Sequence, residues 1–181
     1  MPIKNHWGYD EIMQSDWTIR IAQESDVDDL VKMRLKLHEY LVYRNPSIWH
    51  ALSEQHEYER LKEEIIQCLC DQDTRIFVAV DNDKLIGMVT GKVSFNEFRI
   101  PSIVASINIA FVAEEWRGKG VGTELVKKLC QFFASRGVKD VSVRYVVGNI
   151  EATRFWEKLG FLPRIITAGT DLQNLESKVQ M

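Results

Sequence analysis

The sequence is poor in residues that staple, break or anchor a chain. It has three cysteines (Cys68, Cys70 and Cys130), four prolines and four histidines in 181 residues. An odd number of cysteines at these spacings makes no disulfide framework, and Cys68 and Cys70, two apart on a helix-like stretch, do not share a face. They read as structural thiols in a reducing compartment, so a cytoplasmic location is expected. His6, His38, His50 and His56 fit neither HExxH nor a Cys/His zinc spacing, and no metal is expected. No apolar run approaches the roughly 20 residues that span a bilayer. The opening MPIKNHWGYDEIM lacks the apolar core of a secretory leader. No charge of one sign dominates: 23 basic residues stand against 26 acidic ones, net -3, with no long basic stripe. Nucleic acid and membrane are therefore not expected as partners.

What is present is enough apolar material for one core, 45% of the chain. Residues 1–16 are polar and irregular and read as an arm or tail. Residues 17–170 read as one domain, and 171–181 as a polar tail. Trp17–Ala22 is strand-like, and Ser25-Asp26-Val27-Asp28 resembles a capping box. Val27, Leu30, Val31, Leu37 and Leu41 follow a helical stripe that must end near Asn45-Pro46. A second helix is expected from Leu52 to Cys70, with Tyr58, Leu61, Ile65, Cys68 and Leu69 inward. Arg75–Val80 and Leu85–Phe95 form a hairpin across Asp81-Asn82-Asp83-Lys84. Ile103–Val112 is a third strand of the group, with Ile107, Ile109 and Phe111 on one face. Gly122, Leu125, Val126, Leu129, Phe132 and Phe133 make a helical stripe that Arg136-Gly137 stops. Val141, Val143, Tyr145 and Val147 alternate as a strand. Ala152, Phe155, Trp156 and Leu159 form another helical stripe, and Phe161–Thr167 a last strand. This order predicts a mixed α/β sheet rather than a regular βαβ array.

Between the strand Ile103–Val112 and its following helix lies WRGKGVGTEL, Trp116 to Leu125, with Gly118, Gly120 and Gly122 at alternate positions. A strand, a glycine-rich loop and a helix in that order suit a phosphate. Free N–H groups and the dipole at a helix start favour an anion, and glycine lets it approach without meeting a Cβ. Three ligand classes use such a loop. A P-loop needs GxxxxGK[ST], which is absent. A dinucleotide loop needs GxGxxG and an acid ending the next strand, whereas Asp140 precedes that strand. The third class is coenzyme A, which also carries a pyrophosphate.

Arg117-Gly118-Lys119-Gly120-Val121-Gly122 resembles the R/Q-x-x-G-x-G/A motif of the GNAT superfamily of N-acetyltransferases. Further on, Asn149-Ile150-Glu151-Ala152-Thr153-Arg154-Phe155-Trp156-Glu157-Lys158-Leu159-Gly160-Phe161 resembles that family's N-x-x-A-x-x-F-Y-E-K-L-G-F motif. The two together cover Ile103 to Pro163, in the family's order. The resemblance implies a mixed, mostly antiparallel twisted sheet, with central strands splayed to hold CoA and about four flanking helices. It implies an acetyltransferase with acetyl-CoA as donor, which moves the acetyl group by direct attack of a primary amine of a small molecule or protein. A homodimer is an assembly known among relatives.

The resemblance also assigns roles. The backbone N–H groups from Arg117 or Gly118 through Lys119, Gly120 and Val121 to Gly122 would hold the pyrophosphate, Arg117 by its N–H or its guanidinium, with the Thr123 hydroxyl beside them. Phe111 and Val112 would bond the pantetheine arm through their main chains. Asn149 would stand at the mouth of the gap or cap its helix, and Phe155 and Trp156 would wall it or pack in the core. Trp156 stands where the motif has Tyr. An indole N–H donates a hydrogen bond but is no proton source near neutral pH. For the base that frees the amine, Glu97 and Asn108 are the candidates by placement, Asn108 only through a water, with Tyr145 as a third. The acceptor wall would come from Tyr40, Tyr43, Arg44, Trp49 and His50 with Phe95–Phe98, near Glu39, Glu54 and Glu97. Two other readings compete: a non-catalytic acyl-CoA-binding regulatory domain, motivated by Trp156, and a dinucleotide-binding module.

Overall fold

The structure is a computed structural model and describes residues 17–44 and 54–179. The expected arm 1–16, Trp49 and His50 lie outside the described residues. The described chain divides into one unit up to Arg144 and a second from Tyr145.

The first unit is a five-stranded sheet in chain order with helices on both faces. Its strands are β1 (Thr18–Ile21), β2 (Thr74–Asp81), β3 (Lys84–Phe95), β4 (Ile103–Val112) and β5 (Asp140–Val143). The first three pairings are antiparallel and β4–β5 is parallel. Its helices are α1 (Val27–Arg44), α2 (Glu54–Cys70) and α3 (Val121–Ser135). The β2–β3 hairpin turns on Asn82 and Asp83, both at positive φ (44° and 61°), the geometry of a type I′ turn that follows the strand twist.

Leu30, Val31, Met33, Leu61 and Ile65 of α1 and α2 share a buried cluster with Ile76, Val78 and Met88 of the sheet. On the other face, α3 buries Val121, Leu125, Val126, Leu129 and Phe133. Gly91 of β3 leaves room for α3: a Cβ there would lie 2.5 Å from Phe133 and 2.7 Å from Leu129. The expected capping box at Ser25 does not form. Instead Asp26, two-pronged against Arg20 at 2.6 and 2.8 Å, reaches back to the Gln23 N–H at 2.7 Å.

A knot of polar bonds fixes the end of α2. Asp71 accepts from the Asp73 N–H (3.0 Å), the Thr74 hydroxyl (2.8 Å) and Lys92 (2.9 Å). These donors, the Asp73 N–H foremost, hold the Asp71 carboxyl down to about 2. Arg136, just past α3, binds Asp73 and the Gln72 carbonyl.

The second unit holds α4 (Ile150–Lys158) and α5 (Leu172–Val179). Three expectations change here. The strand expected through Tyr145 and Val147 ends at Val143, and Val147 is 86% exposed. Phe161–Thr167 is not a strand. The tail 171–181 contains α5, the fifth α-helix among the described residues; Asp171 caps it through the Asn174 N–H at 2.8 Å.

Candidate active site

The β4 strand supplies the framework. It pairs with β3 along its length but with β5 only from Val104 to Ile107. From Asn108 to Val112 its other side has no ladder among the described residues. This is the shape the splayed-strand expectation requires.

Which main-chain groups face that open side follows from parity. The Ala113 N–H donates to the Ile86 carbonyl of β3 at 2.9 Å. Main-chain groups alternate sides along a strand. Val112 and Ala110 therefore turn their N–H and C=O outward, and Phe111 turns its own toward β3. Arg117 reports the same geometry: its Nε donates to the outward Val112 carbonyl at 3.2 Å.

Asn108 is the extra residue of a β-bulge, since Thr90 opposes Ile109 and Gly91 opposes Ile107. The insertion swaps faces. Ile107, opposite Gly91, faces α3, whereas Ile109 and Phe111 pack against the α1–α2 cluster. The expectation that these three share a face is thus corrected. Asn108 is exposed, and its Oδ1 accepts from the Ser106 hydroxyl at 2.7 Å.

The glycine loop follows β4 and a single turn of tight helix, Glu114–Trp116. Gly118 (φ 75°) and Gly120 (φ 86°) both occupy the left-handed region, and a Cβ on either would meet nothing within 4 Å. Gly120 is the N-cap residue of α3 and gives that helix no side-chain cap. The N–H groups of Gly118, Lys119, Gly120, Val121, Gly122 and Thr123 have no acceptor among the described residues. The helix ladder begins only at Glu124, which donates to Gly120. A run of donors over open space at a helix start fits an anion with several oxygens. Lys119 lies over the Trp116 ring, its Nζ 4.9 Å from the centroid.

In the second unit, Asn149 caps α4 by accepting the Ala152 N–H at 3.1 Å. Trp156 is buried and edge-on to Phe155 (4.8 Å) and Phe161 (5.3 Å).

Glu97 is not brought to this site. It is exposed in the β3–β4 turn, which the Asn96 N–H to Ser102 carbonyl bond closes at 2.8 Å. At ~3.4 Å per residue, about 17 Å of strand separates Ile103, at that turn, from Asn108, and about 30 Å separates it from Val112. Glu97 lines an open cleft of about 440 Å³ with Phe95, Phe98 and Val104. Of the expected acceptor wall, Tyr43 is 83% exposed and Tyr40 half-buried on α1. Glu39 lines a cleft of about 360 Å³ with Leu35, Gln55 and Tyr58.

Sequence reasoning missed Glu57. This acid sits at an inward position of α2, buried, with one oxygen on Arg60 at 2.7 Å and the other without a hydrogen-bond partner among the described residues. Its place four residues before Leu61 was the available signal. The half-buried Cys68 thiol is pushed up by burial, which suits a structural rather than a nucleophilic role. No group of three or more His, Cys, Asp or Glu side chains is arranged for a metal among the described residues. No helix there is long and apolar enough to cross a membrane.

Known proteins share the family signature and the fold. Residues 39–161 match the model of the acetyltransferase (GNAT) family. N-alpha-acetyltransferase 30 of Schizosaccharomyces pombe is 33% identical over 100 residues, 52% of this chain and 65% of that protein. The uncharacterized N-acetyltransferase MJ1207 of Methanocaldococcus jannaschii is 27% identical over 155 residues, 84% of this chain and 64% of that protein. The chain therefore spans just under two thirds of the length of these relatives. Among solved structures, a tetramutant of the BH1408 protein of Bacillus halodurans superposes with TM-score 0.74 at 18% identity, covering 86% of this chain and 99% of that one. An aminoglycoside acetyltransferase from an uncultured soil sample, in complex with sisomicin, does so with TM-score 0.65 at 18% identity over 87% and 97%. At such identities these structures speak for the fold. The family model covers most of the chain, including β4, the glycine loop and α4, and the chain belongs to the GNAT acetyltransferase family.

Proposed function

We propose that this protein is an acetyl-CoA-dependent N-acetyltransferase that acts on a primary amine, in the cytoplasm. The observation that carries the reading is the run of unengaged N–H groups from Gly118 to Thr123, beside the open side of β4. Those N–H groups would hold the pyrophosphate, with Thr123 adding its hydroxyl. Val112 and Ala110, whose main-chain groups face outward, would bond the pantetheine arm as a neighbouring strand would. When bound, acetyl-CoA supplies an acetyl group activated as a thioester. A main-chain N–H on the open side of β4 would be the donor for negative charge developing on the acyl oxygen.

The amine must arrive neutral. A lysine-like amine with pKa near 10.4 is neutral in about one molecule in 2,500 at pH 7, a cost of roughly 4.6 kcal/mol. An α-amine with pKa near 7.9 lowers that cost by about 3.4 kcal/mol. Asn108 is not a base, and Glu97 lies far down the strand. The reading therefore favours acceptors of low amine pKa, an α-amino group first among them. The name of the fission-yeast relative points the same way.

A non-catalytic acyl-CoA-binding domain is the second reading, and Trp156 in the motif's tyrosine position is what favours it. One assay separates the two. The protein is given acetyl-CoA with a peptide bearing a free α-amine, or with an N-terminally blocked peptide bearing one lysine, and thiol release is followed. Release with the first peptide, and much slower release with the second, is expected. Binding of acetyl-CoA without turnover of any amine would select the second reading.

A further inference from the structure

We infer that the side-chain amide of Asn108, held by Ser106, donates a hydrogen bond to the acceptor, so that the site selects amines with a carbonyl one carbon away over amines with none. This rests on the acetyl-CoA reading above.

Asn108 stands where the sheet opens. The β4–β5 ladder runs from Val104 to Ile107, and Asn108 is the next residue. At ~3.4 Å per residue, about 14 Å of strand separates it from Val112, at the end of β4 nearest the glycine loop. A pantetheine arm has about twelve bonds in line between phosphate and sulfur, the backbone of about four residues, and covers about 14 Å when extended. An arm anchored at the loop and laid along β4 therefore brings its thioester level with Asn108.

The neighbours of Asn108 fix its face. Ser106 opposes Lys92, whose Nζ binds Asp71 at the end of α2. Ser106 is thus on the α1–α2 face. Its hydroxyl donates to Asn108 Oδ1 at 2.7 Å, which holds Asn108 on the same face. On the other face lies α3, the crossover between the parallel strands β4 and β5. An acceptor therefore approaches from the side where Asn108 projects. With Oδ1 engaged, the amide is turned so that Nδ2, which has no partner among the described residues, presents its N–H donors to the exposed side.

Those donors choose a chemistry. An ammonium group only donates, so Nδ2 offers it nothing. A carbonyl accepts. In a peptide the first carbonyl lies one carbon from the α-amine, whereas a lysine side chain has none near its amine. A bond from Nδ2 to that carbonyl brings the neutral nitrogen to the thioester. It adds a preference for α-amines that is independent of amine pKa, and makes Asn108 a specificity-determining residue.

The test compares two acceptors of matched amine pKa, a peptide α-amine and a fluorinated alkylamine without a carbonyl, in the wild type and three variants. Asn108→Leu should lower the ratio of kcat/KM for peptide over alkylamine by about two- to tenfold, the scale of one hydrogen bond. Asn108→Asp keeps an acceptor for Ser106 but has no donor. It should lose the same ratio, since any effect as a base moves both amines together. Ser106→Ala, which frees the amide to turn, should lose part of it. Calorimetry should find CoA bound as in the wild type, and ligand-observed NMR should find the peptide bound more weakly to the CoA-loaded variants. Equal falls for both amines, as a water relay through Asn108 would give, weaker CoA binding, or no change in any variant would overturn the inference. A wild type that turns over neither amine would instead overturn the reading beneath it. Melting curves of each variant confirm the fold.

Discussion

Gly120 separates two demands that a glycine can serve, and substitutions there pull them apart. Its φ of 86° is a left-handed conformation, so any side chain carries a backbone penalty. That penalty is about 1–2 kcal/mol, less for Asp than for Ala. Apart from its chain neighbours, no atom of the described residues lies within 4 Å of a Cβ built there, so packing adds no cost. For a chain of this size the midpoint of melting should fall by roughly 2–8 °C. Gly137, at the other end of α3, is a matched control. Its φ is 72°, and the nearest atom to its Cβ is Ile103 at 4.0 Å. Gly137→Ala and Gly120→Ala should destabilise alike. They should differ with acetyl-CoA. At about 100 times the dissociation constant the ligand adds roughly 2.7 kcal/mol, or about 5–10 °C. Gly137→Ala should keep that rise, Gly120→Ala should lose much of it, and Gly120→Asp, with bulk and negative charge in the phosphate's path, should lose all of it. The assay is a thermal melt of each variant with and without acetyl-CoA. A full rise in Gly120→Asp would refute the placing of the pyrophosphate over this loop.

Further expectations follow from the packing and the charges. Gly91→Ala puts a methyl 2.5 Å from Phe133 and 2.7 Å from Leu129. Overpacking of that kind costs about 1–3 kcal/mol, which urea unfolding would register as a lower midpoint at unchanged slope. Asp71 titrates at about 2 in the folded chain, below its unfolded value near 3.9. Its contribution is therefore fully present above roughly pH 5 and fades as pH falls from about 4 to about 2. Asp71→Asn should be less stable than the wild type at neutral pH, and the gap should close across that acid window. Trp156→Tyr removes a buried indole packed against Phe155 and Phe161, and should cost roughly 1–3 kcal/mol without raising turnover. A clear rise in turnover would show that proton donation had been limiting.

The legible parts of this fold are those where local chemistry and tertiary packing agree. Asn82-Asp83 carries the turn chemistry of its hairpin, and Ile103–Val112 has the bounds its composition predicts. The α3 stripe was readable because one face of it alone is buried. The bulge at Asn108 was hidden for a physical reason. Helices cover both faces of the sheet, so Ile107 and Ile109 are both apolar although they point opposite ways. An unbroken alternation therefore reads straight through the insertion. Adjacent residues turn their main-chain groups to opposite sides of a strand, so Ala110, rather than Phe111, shares the outward side with Val112. Parity counted back from Val112 would have found it. Tyr145 and Val147 alternate as a strand should, yet pairing stops at Val143, because pairing depends on a neighbour that alternation cannot report. The α5 helix was readable after all: Asp171 is a good cap, and Leu172, Leu175 and Val179 follow at helical spacing. The glycine motif marks the loop over which an anion is proposed to bind, whereas the Arg117–Val112 bond belongs to side-chain geometry and had no sequence signal.

The most direct test of the central claim is a calorimetric titration of the unmodified protein with acetyl-CoA, free CoA and NADH. The account predicts saturable binding of both CoA species and none of NADH, because on the proposed reading the open side of β4 would take a pantetheine arm, which a dinucleotide lacks. Binding of NADH in preference to CoA, or no binding of either CoA species, would contradict it.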